Sequence, residues 1–184
     1  MRTAKQRKRR ASRVEAEIAE GLGGRRTFNS GAGDEKADGR VMARYAMGAG
    51  GKPEKTSTGI RIENKTTEKP YYVMRAVDWA DVWRTAVSYG EIPLFHIQLC
   101  TGSNPVDIAV VSDVFFSEEV GPIPDYIRKT VQTVSSYRTR EDWMDTSCDC
   151  PTVLLQLKHH NKIFTVVMCR YDEVQPTLKR LGTQ

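Results

Sequence analysis

A carboxylate and an ammonium group stand two residues apart at Glu63 and Lys65, in the segment 59–65 (GIRIENK). Side chains alternate along a β-strand, so both residues would share one face with Arg61, while the isoleucines between them point into a core. The carboxylate can bind a divalent cation beside a phosphodiester. The ammonium group can orient water and offset charge that develops on phosphorus. This pair therefore suits a metal-dependent nuclease.

An acidic helix is predicted upstream, over residues 13–22. Apolar residues recur there at positions 14, 18 and 22, which is helical spacing, and Glu15, Glu17 and Glu20 lie among them. Two glycines at 23 and 24 end the segment. The helix can therefore bring a further carboxylate to a site on a neighbouring strand.

A glycine-rich polar run follows, from residue 25 to Asp38, and leads into a short strand predicted over residues 39–43. Glycines allow the backbone to approach a ligand closely, so the run can lie against a sugar-phosphate backbone. A plain surface turn has the same composition. Residues 46–58 are again rich in glycine, and we expect a hairpin tip or an insertion between two strands.

Positive charge is concentrated at the start of the chain. The net charge is +5, yet the first 13 residues alone contain seven basic side chains and no acidic one, so the remainder is close to neutral. Lysines and arginines that neutralise phosphates release condensed counterions. Residues 1–13 are therefore predicted to form a loosely ordered arm that binds DNA, through Lys5, Arg7, Lys8, Arg9 and Arg10; a solubilising or targeting tail is the alternative.

The composition excludes several classes of protein. No stretch approaches the ~20 apolar residues of a membrane helix, and the basic start is not followed by an apolar signal-peptide core. Four cysteines are too few for a secreted disulfide scaffold in 184 residues. Cys148 and Cys150 form a C-x-C pair that zinc could bind, with ordinary reduced thiols as the alternative. We expect a soluble protein in the cytoplasm of a bacterial or phage-infected cell.

The remaining pattern mixes helices and strands. An amphipathic helix is predicted over residues 74–89 and short helices over 113–120 and 171–181. Strands are predicted over 92–99 and 107–111, and a hairpin over 153–157 and 163–168 that turns at His160–Asn161. This order predicts an α/β (α+β) sandwich with a mixed β-sheet.

The order of the charged residues carries a resemblance to a known family. Glu15 on a helix, Asp38 before a strand and the E-N-K triplet 63–65 on the next strand resemble the PD-(D/E)xK nuclease superfamily. The run 26–33 (RTFNSGAG) is similar, more specifically, to a loop of archaeal and phage Holliday-junction resolvases. The resemblance covers about residues 11–100.

The resemblance implies a restriction-endonuclease-like mixed β-sheet flanked by helices. After the basic arm, residues 14–184 would form a single nuclease-like domain. Its core would span about 14–112. Residues from about 113 to 184 lie outside the resemblance, and their own pattern predicts a β-rich C-terminal extension.

The resemblance also implies roles for individual residues. Asp38 and Glu63 would bind Mg²⁺ or Mn²⁺, for which carboxylate oxygens are typical ligands. Lys65 would position the nucleophilic water. Glu15 would complete the acidic site from the helix, with Glu17 as the alternative.

The glycine-rich run is expected to contact phosphate through Ser30 and Arg26. The sequence departs from the family pattern at three positions. Ala37 replaces the usual proline, Gly39 stands where an apolar strand residue is common, and Asn64 lies between the two catalytic residues. A buried Asn64 needs a hydrogen-bond partner.

Two functions of different classes follow. The first is a metal-dependent endodeoxyribonuclease that cleaves branched DNA selectively, as a Holliday-junction resolvase does. We expect it to be a homodimer, because cutting two opposed strands requires two symmetric sites. The second is a non-catalytic structural or packaging protein that associates with DNA through a nuclease-like fold and a basic arm.

Overall fold

The computed structural model describes residues 3–26, 39–47, 52–55, 57–100, 105–140 and 152–183. The helices are α1 (Ala4–Gly21), α2 (Ala76–Ser88), α3 (Asp113–Phe115), which continues into a π-helical turn (Phe116–Val120), α4 (Asp125–Arg128) and α5 (Tyr171–Thr183). The strands are β1 (Arg25–Arg26), β2 (Gly39–Val41), β3 (Tyr45–Met47), β4 (Pro53–Lys55), β5 (Ile60–Thr67), β6 (Tyr71–Arg75), β7 (Ile92–Leu99), β8 (Val106–Ser112), β9 (Gln132–Val134), β10 (Ser136–Arg140), β11 (Val153–His159) and β12 (Lys162–Arg170).

Within these ranges, eight strands form one mixed sheet in the order β1-β2-β5-β7-β8-β12-β11-β9. The pairs β5–β7 and β11–β9 are parallel, and the other neighbours are antiparallel. The segment 113–184 supplies three of the eight strands. β6 and β10 form a separate two-stranded ribbon, and β3 pairs with β4 in a hairpin.

Helices cover both faces of the sheet. On one face, Ile60 and Ile62 of β5 share a buried core with α1 and α5; we call this the α1 face. On the other, Phe95 and Ile97 of β7 share a core with Trp79 of α2; we call this the α2 face. A connection between parallel strands must cross over the sheet, and β6 and α2 make that crossover from β5 to β7. The mixed sheet flanked by helices predicted from the sequence is therefore present.

The first helix starts earlier than expected. Residues 4–13, which we expected to form a loosely ordered arm, are the first turns of α1. Thr3 caps the helix: its hydroxyl accepts a hydrogen bond from the Gln6 amide at 3.3 Å, and the Gln6 side chain accepts one from the Thr3 amide at 2.8 Å. Alanine, lysine, arginine and glutamine dominate the turns that follow, and these residues favour helix.

Several elements lie where the pattern placed them. β7 has the predicted bounds, and the β11–β12 hairpin turns at His160–Asn161, where His160 has a φ of 52° in the left-handed region. α2 is two residues shorter than predicted at its start. The β6–β10 ribbon was not predicted, because its two strands are separated by more than 60 residues and neither alternates clearly between polar and apolar side chains.

No helix in the described part of the chain is long and apolar enough to cross a membrane.

Candidate functional site

Glu63 and Lys65 lie side by side on the α2 face of β5, next to Phe95 and Ile97 of the parallel strand β7. The Lys65 ammonium group donates a hydrogen bond to Glu63 Oε1. Side-chain exposure rises along this face, from 0% at Arg61 to 21% at Glu63 and 37% at Lys65. The polar face of β5 is therefore closed at its start and open to solvent towards its end, where the carboxylate and the ammonium group meet.

Two of the predicted site residues, Asp38 and Ser30, lie outside the described residues. Gly39, the residue after Asp38 in the sequence, pairs with Ile62, the residue before Glu63. The strand that follows Asp38 is thus the antiparallel neighbour of the strand that carries Glu63. On its other edge, Gly39 pairs with Arg26 of β1.

The two candidate carboxylates of α1 point in different directions. Glu17 faces solvent with its side chain 60% exposed, and Arg13 pairs with it at 3.2 Å. Glu15 is half-buried and lies one turn before Ala19, which packs in the core of the α1 face. Glu15 therefore lies on the sheet side of α1, over the face opposite to Glu63. The structure brings Glu63 and Lys65 together but places Glu15 across the sheet from them.

The basic residues of the N-terminal segment lie on the first turns of α1. Lys5, Lys8 and Arg9 are exposed, and Arg10 is half-buried. The side chain of Arg7 is not among those described.

The central residue of the E-N-K triplet has its hydrogen-bond partner. Asn64 is buried on the α1 face, and its Oδ1 lies 2.6 Å from Nδ1 of the fully buried His96. Nε2 of His96 lies 3.1 Å from Oδ1 of Asp107, which also accepts a hydrogen bond from Gln98 at 2.9 Å. Burial raises the pKa of Asp107, but the hydrogen bonds from His96 and Gln98 outweigh this, so the pKa lies below its usual value. A chain of polar contacts thus supports β5 from behind the Glu63–Lys65 pair.

A second buried cluster fixes the start of the same strand. Glu91 accepts hydrogen bonds from Nε of Arg40 at 2.5 Å and from Nε of Arg61 at 2.8 Å. The ring of Tyr89 lies against both guanidinium groups, 4.8 Å from Arg40 Cζ and 5.0 Å from Arg61 Cζ. Arg40 pairs with Arg61 across β2 and β5, so Glu91 ties the turn before β7 to both of these strands. A Cβ at Gly59 would lie 2.8 Å from Glu91 Cγ, so the cluster also requires a glycine there.

Neither cluster was predicted. For the Glu91 cluster, the available signal in the sequence was Arg61, which stands between two isoleucines. Because a central strand buries both of its faces, an arginine there indicates a buried partner. Its partner Glu91 is 30 residues away in the sequence and stands at a turn, where an exposed acid is the usual expectation.

Among the residues that the structure describes, no group of three His, Cys, Asp or Glu side chains could hold a metal ion. Asp38 falls outside that search, as do Cys148 and Cys150. Cys100 and Cys169 are buried and form no disulfide.

No family model matches the chain, and no curated protein matches it. The contacts around β5 are therefore the main evidence for a function.

Proposed function

We propose that this chain is a metal-dependent endodeoxyribonuclease that hydrolyses phosphodiester bonds in branched DNA, in the manner of a Holliday-junction resolvase. One observation carries the proposal: Glu63 and Lys65 are in contact on the solvent-open end of one strand face, and the neighbouring strand begins directly after Asp38. A carboxylate that can bind a divalent cation, next to an ammonium group that can offset developing negative charge, suits metal-dependent phosphodiester hydrolysis.

Asp38 and Glu63 are the proposed ligands of Mg²⁺ or Mn²⁺. Both are carboxylates, which these hard cations prefer, and Glu63 is partly exposed rather than sealed in the core. A bound divalent cation supplies positive charge to the phosphoryl oxygens and lowers the pKa of a coordinated water.

The Lys65 ammonium group donates a hydrogen bond to Glu63, which keeps it beside the carboxylate. We assign it two tasks: orienting the attacking water by hydrogen bonding, and offsetting the negative charge that develops on phosphorus. Of the two candidate helix carboxylates, Glu15 lies on the sheet side of α1 and Glu17 faces solvent, but Glu15 is across the sheet from Glu63, so the proposed site consists of Asp38, Glu63 and Lys65.

DNA is the proposed partner of the exposed cations on α1. Lys5, Lys8 and Arg9 lie within the first two turns of α1 with no acidic residue among them, and such a cluster of exposed cations suits phosphate binding. Arg26 and Ser30 are proposed to contact phosphate next to the site. A homodimer is proposed because two opposed strands of a junction need two symmetric sites.

A cleavage assay tests the proposal. The purified protein is incubated with a labelled four-way junction and with linear duplex of the same sequence, in Mg²⁺, in Mn²⁺ and in EDTA. We expect cleavage of the junction that depends on the metal. Glu63→Gln, Lys65→Met and Asp38→Asn should each lower the rate by about 100-fold or more. Glu118→Gln, an exposed acid elsewhere in the fold, is the matched control and should cleave like the wild type.

The outcomes separate the two classes of function. A wild-type protein that binds the junction but cleaves nothing in either metal would support the non-catalytic packaging or structural protein instead. Cleavage that survives Glu63→Gln and Asp38→Asn would retain the enzyme class and reject the assigned site.

A further inference from the structure

The ribbon formed by β6 and β10 has one buried and one open face. Its register pairs Val73 with Arg138 and Met74 with Tyr137. Met74 is fully buried in the core of the α2 face, whereas Val73 and Arg138 are exposed. Because side chains alternate along both strands, Tyr71, Val73 and Arg75 form the open face together with Ser136 and Arg138. We call this surface the ribbon face.

The ribbon face is basic. Residues 68–75 and 136–140 contain four basic side chains and one acidic one, Glu68. Arg75 is occupied in capping α2, where it pairs with Asp78 at 2.6 Å. Lys69 and Arg138 form no ion pair with any carboxylate of the described residues.

These two cations are held over one aromatic ring. Lys69 Nζ lies 5.8 Å and Arg138 Cζ lies 4.6 Å from the centroid of the Tyr71 ring. Such contacts order long, flexible side chains without neutralising their charge. Two positive charges are thus presented at a defined position on an otherwise open strand face.

The ribbon stands on the same side of the sheet as the Glu63–Lys65 pair. Tyr72, on the buried face of β6, packs at 6.2 Å from the ring of Phe95, which pairs with Glu63. Burial and the charge of Asp78 raise the pKa of Tyr72. The charge of Lys65 lowers this pKa and the charge of Glu63 raises it, so both groups lie within electrostatic range of the Tyr72 hydroxyl. The turn 68–70 joins the end of β5 directly to β6, so Lys69 follows Lys65 by only four residues.

We infer that the ribbon face binds the phosphate backbone of DNA beside the cleavage site, with Lys69 and Arg138 as the phosphate contacts and Tyr71 as the residue that positions them. This inference rests on the proposed function for the location of the cut. It assigns a role to β10, which belongs to the C-terminal segment that carries none of the resemblance.

Phosphate fits this surface better than a base does. Tyr71 already has two cations over its ring, so the ring is occupied as a stacking surface. The contacts therefore act mainly through charge, and binding should depend little on the DNA sequence.

Binding is measured by fluorescence anisotropy in EDTA, with the junction and with duplex, over a series of salt concentrations. Lys69→Gln combined with Arg138→Gln should weaken binding to both DNAs and lower the slope of log K against log salt by about 2, one for each lost phosphate contact. The matched control is Lys129→Gln with Lys158→Gln, which removes the same charge from exposed residues elsewhere on the fold and should keep the wild-type slope. Tyr71→Phe keeps the ring and should bind like the wild type, whereas Tyr71→Leu should weaken binding.

A slope for the Lys69/Arg138 variant equal to that of the control would overturn the inference, even if the wild type cleaves junctions. If the Lys69/Arg138 variant shows the reduced slope but the wild type never cleaves DNA, the inference stands and the proposed function is rejected. A wild type that binds neither DNA would overturn both. Circular dichroism confirms that each variant is folded. The single variant Arg138→Lys keeps the positive charge and should therefore retain most of the wild-type binding.

Discussion

Replacing Glu91 with glutamine should destabilise the protein strongly, because it removes the carboxylate that contacts both the buried Arg61 and the partly exposed Arg40. The side chains of Glu91 and Arg61 are 2% and 0% exposed, and that of Arg40 is 16% exposed. Breaking a buried ion pair by removing one partner costs about 3–5 kcal/mol. For a chain of this size each kcal/mol corresponds to about 2–4 °C in Tm, so Glu91→Gln should lower Tm by about 6–20 °C.

The control for this variant makes the same chemical change in a solvent-exposed pair. Glu119 accepts a hydrogen bond from Arg180 at 3.0 Å, with both side chains well exposed. Glu119→Gln should therefore cost no more than about 1 kcal/mol. Urea denaturation followed by far-UV circular dichroism gives the free energy of unfolding of both variants, and equal m-values establish that the midpoints can be compared.

A double-mutant cycle tests the cause of the effect. In an Arg61→Met background, Glu91→Gln removes a carboxylate contact from the partly exposed Arg40 alone, so it should cost less than in the wild type. The reasoning fails if Glu91→Gln destabilises the protein no more than Glu119→Gln does. It also fails if the cost is the same with and without Arg61.

Three further predictions concern other parts of the fold. A Cβ at Gly24 would collide with the backbone of β2, so Gly24→Ala should cost about 1–3 kcal/mol in urea denaturation, whereas Gly121→Ala, with no atom in reach of its Cβ, should lie within about 0.5 kcal/mol of wild type. Because the pKa of Asp107 is lowered by folding, its stabilisation is present above the unfolded value of about 3.9 and is lost as pH falls through the folded value. Asp107→Asn should thus be less stable than wild type near neutral pH, and the gap should close in denaturation curves measured at progressively lower pH below about 4. Lys5→Gln with Lys8→Gln should lower the salt slope of DNA binding by about 2 while leaving the helicity of the protein unchanged; an unchanged slope removes α1 from the DNA interface.

The sequence predicted those features that depend on local pattern. β7 is mostly apolar, with His96 and Gln98 as its two polar residues, and its bounds were correct; alternation along β5 correctly placed Glu63 and Lys65 on one face. The start of α1 was missed because a run of basic residues was interpreted as an unstructured arm. The capping pair Thr3 and Gln6 was present in the sequence and would have indicated a helix.

Contacts between distant residues could not be predicted in this way. The buried partner of Arg61 is Glu91, and the partner of β6 is β10, more than 60 residues away. A local pattern carries no information about such pairings, since the pairing of distant strands depends on the whole sheet. Metal binding and catalysis stay predictions, and Asp38 is the residue on which they most depend.

The two ends of the sheet limit how copies of this protein can associate. In the part of the chain that the structure describes, the outermost strands are β1, with two residues, and β9, with three, of which Gln132 and Thr133 are exposed and polar. Such short, polar edges offer little unpaired backbone to a strand from another chain. A second copy is therefore not expected to extend the eight-stranded sheet at β1 or β9, and a dimer that acts on two strands of DNA should use other surfaces of the fold.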